Sequence, residues 1–216
     1  RISKESIFTG INNFKVHSIA DTSYDEYFGF TDEEVKKILS YYQIETQYDV
    51  IKEWYDGYQF GKENIYCPWD VINYIADYLN DPQMQPKLYW LNTSGNYIIR
   101  QLIKRADANM REEIEQLIAG QSICKEIKTE LTYKDLDMPE YGDNDVSRNN
   151  LWSILYTTGY LTTRTCDGRK YELTIPNREI HDIFVTQIKE WMQDTIILGN
   201  LSQLKEFWQA VATGNV

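Results

Sequence analysis

The stretch Trp54-Tyr-Asp-Gly-Tyr-Gln-Phe-Gly-Lys-Glu-Asn-Ile-Tyr-Cys-Pro-Trp69 sets the strongest constraint on how this chain folds. Six aromatic residues, two glycines and a proline fall between two segments of helical periodicity. Asp56-Gly57 marks the end of one helix and Pro68 the first turn of the next. Glycine tolerates the left-handed conformation past a helix end, and proline is preset for a first turn that does not need its N–H. An aromatic loop bounded in this way is expected to pack down. Asp56, Gly57, Tyr58, Phe60, Gly61, Pro68 and Trp69 therefore form a structural motif on which the rest of the chain is hung.

Before this connector, Phe14–Ile19 alternates as a short strand does, after a loop over 1–13. Thr31-Asp-Glu-Glu34 has the spacing of a capping box, and Val35, Ile38, Leu39 and Tyr42 follow as one apolar stripe. A short helix over Gln47–Tyr55 leads into the connector. After it, Val71, Ile72, Ile75 and Leu79 make an amphipathic helix ended by Asn80-Asp-Pro82. Further helices are expected over Ser94–Arg105 and Met110–Ala119. Ile127, Thr129, Leu131 and Tyr133 alternate as a strand, and the polar run 135–147 reads as a boundary.

A second unit then opens with a helix carrying Leu151, Ile154 and Leu155, stopped at Gly159. Asp167-Gly168, between apolar-alternating runs over Tyr160–Thr165 and Arg169–Ile175, is a two-residue hairpin signal. Pro176-Asn177 opens a long helix with Ile180, Ile183, Phe184, Ile188 and Trp191 on one face, and Leu201–Val211 is a last helix. Helix, hairpin, helix is the order of a winged-helix tail. The expected class is mainly α with minor β, α+β overall: a helical lid-like bundle followed by a winged-helix-like module.

Composition narrows the function classes. The net charge is −11, and the excess acid lies wholly within residues 1–146. Such a chain is a poor non-specific polyanion binder, because neutralisation of phosphates by Lys and Arg supplies most of that affinity. No apolar run is long enough for a membrane span and no signal-peptide pattern occurs, so a soluble, cytoplasmic protein is expected, with no membrane partner. Three scattered cysteines, Cys67, Cys124 and Cys166, suit reduced thiols better than a disulfide framework or a zinc site. No metal site is expected.

Several blocks in order carry a family resemblance: Arg1-Ile-Ser-Lys-Glu-Ser-Ile-Phe-Thr-Gly-Ile-Asn-Asn13, Tyr27-Phe-Gly-Phe-Thr-Asp-Glu-Glu-Val35, the connector, Trp90-Leu-Asn-Thr-Ser-Gly-Asn96 and Leu151-Trp-Ser-Ile-Leu-Tyr-Thr-Thr-Gly-Tyr-Leu161. With these the chain resembles the bacterial AAA-ATPase-like proteins, in which a P-loop ATPase region precedes a lid and a winged-helix-like region, commonly with a PD-(D/E)xK nuclease-like domain after them. The resemblance implies that residues 1–30 are the trailing edge of the ATPase core, 31–146 a helical lid-like domain, and 147–216 a winged-helix-like module. It implies a fragment that begins after the P-loop. ATP and magnesium would be bound by the intact protein, with Arg1, Lys4, Glu5 and Ser6 near the nucleotide and the rest of the chain as first partner.

The residues themselves supply little catalytic chemistry. Gly57-Tyr-Gln-Phe-Gly-Lys-Glu63 has three residues between its glycines where a P-loop has four, and Glu63 where magnesium needs a hydroxyl. Glu34-Val-Lys36 and Glu126-Ile-Lys128 carry the ExK fragment of a nuclease site without its Pro-Asp. His17 and His181 stand alone, and Cys67 reads as a small hydrophobe. No catalytic residue is expected. Arg164, Arg169 and Lys170 around the hairpin tip are the candidate nucleic-acid contacts, set against a protein-docking role that the charge favours. Two functions follow: coupling of an upstream nucleotide state to a C-terminal effector or partner, or a stand-alone docking or weakly DNA-binding module without catalysis.

Overall fold

The computed structural model describes residues 22–90, 108–129, 131, 145–167 and 170–197. The expected strand over 14–19, the helices over 94–105 and 201–211, and His17 lie outside them. The described chain is α+β. Helices α1 (Asp32–Tyr42) and α2 (Tyr48–Tyr55) precede a hairpin of β1 (Tyr58–Phe60) and β2 (Glu63–Ile65), and α3 (Pro68–Asn80) follows. Then come α4 (Ala108–Ile118), β3 (Ile123–Glu126), α5 (Asp145–Thr157), β4 (Thr162–Asp167), β5 (Lys170–Thr174) and α6 (Arg178–Ile197).

Local sequence sets the helix ends. Thr31 Oγ1 accepts from the Glu34 N–H while the Glu34 carboxylate accepts from the Thr31 N–H at 2.9 Å, so both halves of the capping box form. Pro68 occupies the first turn of α3. Asn177 caps α6, its Oδ1 accepting the Ile180 N–H at 3.0 Å.

Two hydrophobic clusters result. Val35, Leu39, Ile51, Tyr55, Tyr66, Val71, Tyr74 and Ile75 make the first, over α1, α2 and α3. The second joins Met110, Ile114, Leu117 and Ile123 to Leu151, Trp152, Leu155, Leu173, Ile183 and Phe184. Thus α4 and β3, which precede residue 147, pack with α5, β4, β5 and α6. The sheet of this second cluster is antiparallel in the order β3-β5-β4, with Ile123 opposite Leu173 and Glu126 opposite Lys170.

Three local expectations change. The connector is not an irregular loop: its centre is a two-residue β-hairpin with Phe60 opposite Glu63. A strand lies at Ile123–Glu126, where β5 offers a partner edge, and the described part of the expected strand, 127–129 and 131, is outside any strand, the rest lying outside the described residues. On α3 the buried face is Asp70, Val71, Tyr74 and Ile75, while Ile72 and Leu79 point outward. Tyr74 decides this rotation by packing on Tyr55, ring centroids 5.7 Å apart.

At the base of the first cluster, Asp32 accepts from the Tyr48 O–H at 2.6 Å, the Tyr66 O–H at 2.8 Å and the Lys36 ammonium at 2.6 Å. Partial burial pushes this carboxyl up, but the bonds from Lys36, Tyr48 and Tyr66 outweigh it and bring it down to about 2. Tyr66 itself is fully buried. Tyr66→Phe keeps the ring and deletes one bond to a charged acceptor, so unfolding in urea is expected to cost about 1.5–2 kcal/mol less than in the parent. A loss under about 0.5 kcal/mol would show that solvent replaces the phenol.

Candidate functional site

The most elaborated region is the seam where the connector meets the second cluster. Asn177, while capping α6, donates its Nδ2–H to the carbonyl of Asp56, the residue that ends α2, at 2.9 Å. The next residue, Arg178, pairs with Glu53 at 2.6 Å and lies over the Trp54 ring, 4.8 Å from its centroid. In the hairpin the Gln59 N–H donates to Thr162 Oγ1 on β4 at 2.8 Å. Gly57 sits at φ 99 directly against the Pro176 backbone. One turn of α6 thus holds the end of α2, and one hydroxyl of β4 holds β1.

Beneath these contacts lies a pair of buried acids. Asp70, in the first turn of α3, and Glu179, in the first turn of α6, are both 0% exposed. Glu179 Oε1 accepts the Trp90 N–H at 2.8 Å. The Cys67 thiol and the Glu179 carboxyl lie against Asp70 closely enough to interact with it. Yet Asp70 Oδ1, Asp70 Oδ2 and Glu179 Oε2 have no partner at ordinary hydrogen-bond geometry. Burial first, and then the Asp70 charge, push Glu179 up to about 8, while burial also raises Asp70. Two carboxyls this close in an apolar seam retain one proton between them, since neither ionises cheaply beside the other. The same surroundings, burial before the Asp70 charge, push the Cys67 thiol up to about 12, which leaves it inert as a nucleophile.

Above the acid pair the seam opens into a cleft of about 220 Å³. Phe28, Tyr58, Phe60, Tyr66, Trp90 and Tyr156 supply its aromatic walls, and Thr157 to Gly159 at the end of α5 form one rim. Trp90 is held by stacking on Tyr160, centroids 5.0 Å apart.

The residues singled out from sequence distribute unevenly around this seam. Asp56 and Gly57 are in it, Tyr58 and Phe60 line the cleft, Gly61 turns the hairpin, and Pro68 starts α3 at the cleft edge. Trp69 is 56% exposed and faces away from the core, unlike the buried Tyr55, Tyr58 and Tyr66. Arg164 and Lys170 are exposed on β4 and β5, and Lys170 stands opposite Glu126 and Asp167 in the sheet register. Arg1, Lys4, Glu5, Ser6 and Arg169 lie outside the described residues. His181 is structural: its Nε2 meets the Ile118 carbonyl at 3.1 Å and ties α6 to the end of α4.

The glycine-bearing stretch does not fit a phosphate of ATP. It is a hairpin whose Gln59 N–H is committed to Thr162, and Gly57 is backed by the Pro176 carbonyl, so no cradle of free N–H groups faces a phosphate. Nor do His, Cys, Asp and Glu cluster as three or more potential metal ligands among the described residues. From Leu151 to Tyr156 every side chain of α5 is buried, which leaves that half of the helix no face for a DNA groove.

Sequence reasoning missed Asp70, Glu179, Asn177 and Trp90. An acid in a first helical turn suits the helix dipole whether it is exposed or buried, so its position alone does not mark Asp70 or Glu179. The available signal was spacing: Asp70 shares a face with Tyr74, and Glu179 with Ile183, each at i+4 on the apolar side.

The chain is 25% identical over 184 residues to a protein of Azotobacter chroococcum mcd 1 described as "Uncharacterized protein in vnfD 5'region". The match covers 83% of this chain but 31% of that protein, so the chain spans about a third of its relative's length. No family model matches the chain. No solved structure matches it. Among the described residues no helix is long and apolar enough to cross a membrane.

Proposed function

We propose that this chain is a non-catalytic coupling segment of a larger, cytoplasmic AAA-ATPase-like protein, in which a lid-like helical unit hands movement to a winged-helix-like unit and on to a C-terminal effector or partner. The seam is the observation that carries this reading. Helix ends of both clusters are joined by Asn177 and Arg178, so a change in the angle of α2 is transmitted to α6 without an intervening flexible linker. The strand order β3-β5-β4, with the β4–β5 hairpin as wing, supports the winged-helix-like assignment. Cys67 and Cys124, free in the structure, are in keeping with a reducing compartment.

The reading is tested by ATP hydrolysis with magnesium, comparing the full-length protein with the 216-residue piece. Turnover by the full-length protein alone is the expected result. Turnover by the piece, or by neither, rejects coupling to an upstream ATPase.

A docking role without any ATPase is the second reading, favoured by one surface. Trp69, Ile72 and Leu79, exposed by 56%, 53% and 47%, follow one another at i, i+3 and i+10 along the outer face of α3. Contact with DNA has less support, because the net charge is −11 and α5 is buried from Leu151 to Tyr156.

A further inference from the structure

We propose that the aromatic cleft at the seam binds a small organic cation, a guanidinium or methylated ammonium group. The cleft has room for a group somewhat larger than benzene, which fills a cavity of about 150 Å³. Its aromatic walls come from four separate parts of the chain: Phe28, the hairpin, Trp90 and α5. Ring faces carry negative quadrupole density and attract cations, most strongly where water is excluded.

Charge selects a cation over a neutral ring or an anion. Among the described residues no Lys or Arg lines the cleft. The rim at Thr157 to Gly159 is the carbonyl end of a 13-residue helix, whose dipole presents partial negative charge there. Cys67 and Tyr58 line it as well, and both interact with the buried Asp70. A phosphate or carboxylate entering the cleft would meet negative potential from the helix end and from Asp70.

The cleft is also kept open. Gly159 lies at φ 85, and a Cβ there would stand 3.0 Å from Trp90 Cη2 and 3.6 Å from Tyr58 Cε1. Any side chain at this position would crowd the Trp90 indole that walls the cleft.

The test is calorimetric titration of the 216-residue chain with tetramethylammonium and methylguanidinium, with tert-butanol as the neutral match in shape. Saturable binding of the cations is expected, at least about ten-fold tighter than tert-butanol. Phe60→Ala, which removes one partly exposed wall, is expected to weaken it by about three- to thirty-fold. Phe28→Lys places a competing charge at a residue that is 51% exposed and outside both cores, so the chain stays folded, as its circular dichroism melt would verify, and cation binding is lost. Equal affinity for tert-butanol, no saturable cation binding, or cation binding that survives Phe28→Lys would each overturn the proposal.

Discussion

Gly57→Ala is expected to destabilise the chain by more than about 4 kcal/mol, a large part of the roughly 5–15 kcal/mol that holds a domain folded. Two penalties coincide at this residue. At φ 99 an L side chain is strained, at about 1–2 kcal/mol. The added Cβ would also sit 2.0 Å from the Pro176 carbonyl oxygen and 2.9 Å from its carbon, both backbone atoms that no rotamer change can move. Relief requires Pro176-Asn177 to shift. That shift breaks the Asn177 bond to Asp56, the Arg178–Glu53 pair and the Glu179 bond to Trp90 in the same turn of helix.

Gly120 supplies the control. It too has a positive φ, 78, but nothing lies within 4 Å of its virtual Cβ, so Gly120→Ala should cost only the conformational strain, about 1 kcal/mol. Urea unfolding of the two variants beside the parent separates strain from contact. If Gly57→Ala fell within about 1 kcal/mol of Gly120→Ala, the close approach of connector and α6 would not exist in solution.

A loss of stability between about pH 4.5 and pH 8, flattened by Glu179→Gln, is the second large effect. Glu179 titrates near its ordinary 4.5 when unfolded and at about 8 when folded, raised by burial and then by Asp70. Across that window the folded chain therefore keeps a proton that the unfolded chain has released. Its contribution is whole below about 4.5 and is lost as pH rises toward about 8, at up to about 1.4 kcal/mol per pH unit. Asp32 has the opposite sign, since its carboxyl is held at about 2 and its stabilisation fades only as pH falls below its ordinary 3.8. It does not mask the effect.

Glutamine at position 179 keeps a carbonyl to accept the Trp90 N–H and gains an amide to donate to Asp70, with no proton to lose. Between pH 5 and pH 8.5 the parent's Tm should fall by about 5–10 °C, taking a few kcal/mol at about 2–4 °C each for a chain of this size. The variant should keep only the residual slopes of Asp56 and Asp70, whose carboxyls burial also pushes up. Parallel Tm profiles for parent and variant would mean that the acid pair is hydrated and that the seam is wetter than the structure has it.

Local chemistry made much of this molecule legible. The capping box at Thr31–Glu34, the proline at the start of α3 and the stop before Gly159 are all set by interactions within a few residues, and each stands where its residue types require; the β4–β5 hairpin forms too, but with Asp167 paired to Lys170 inside the strands instead of in the turn. The α+β class follows from them. The site was legible only in part: Asp56, Gly57, Tyr58 and Phe60 were visible as a packed motif, but nothing in that motif names its partner.

By itself, then, the sequence determined the elements, their caps and an aromatic connector between helices. Tertiary structure decided which face of α3 is buried, where β3 pairs, that α4 and β3 join the second cluster, and that Asp70 meets Glu179. Those outcomes depend on surfaces brought together from far along the chain: Asn177 meets Asp56 across 121 residues and Trp90 meets Glu179 across 89. An apolar residue states that it will be buried, and an acid in a first turn states that it suits a helix dipole. Neither states against what, because burial is non-directional and its partner is chosen only when the whole core closes.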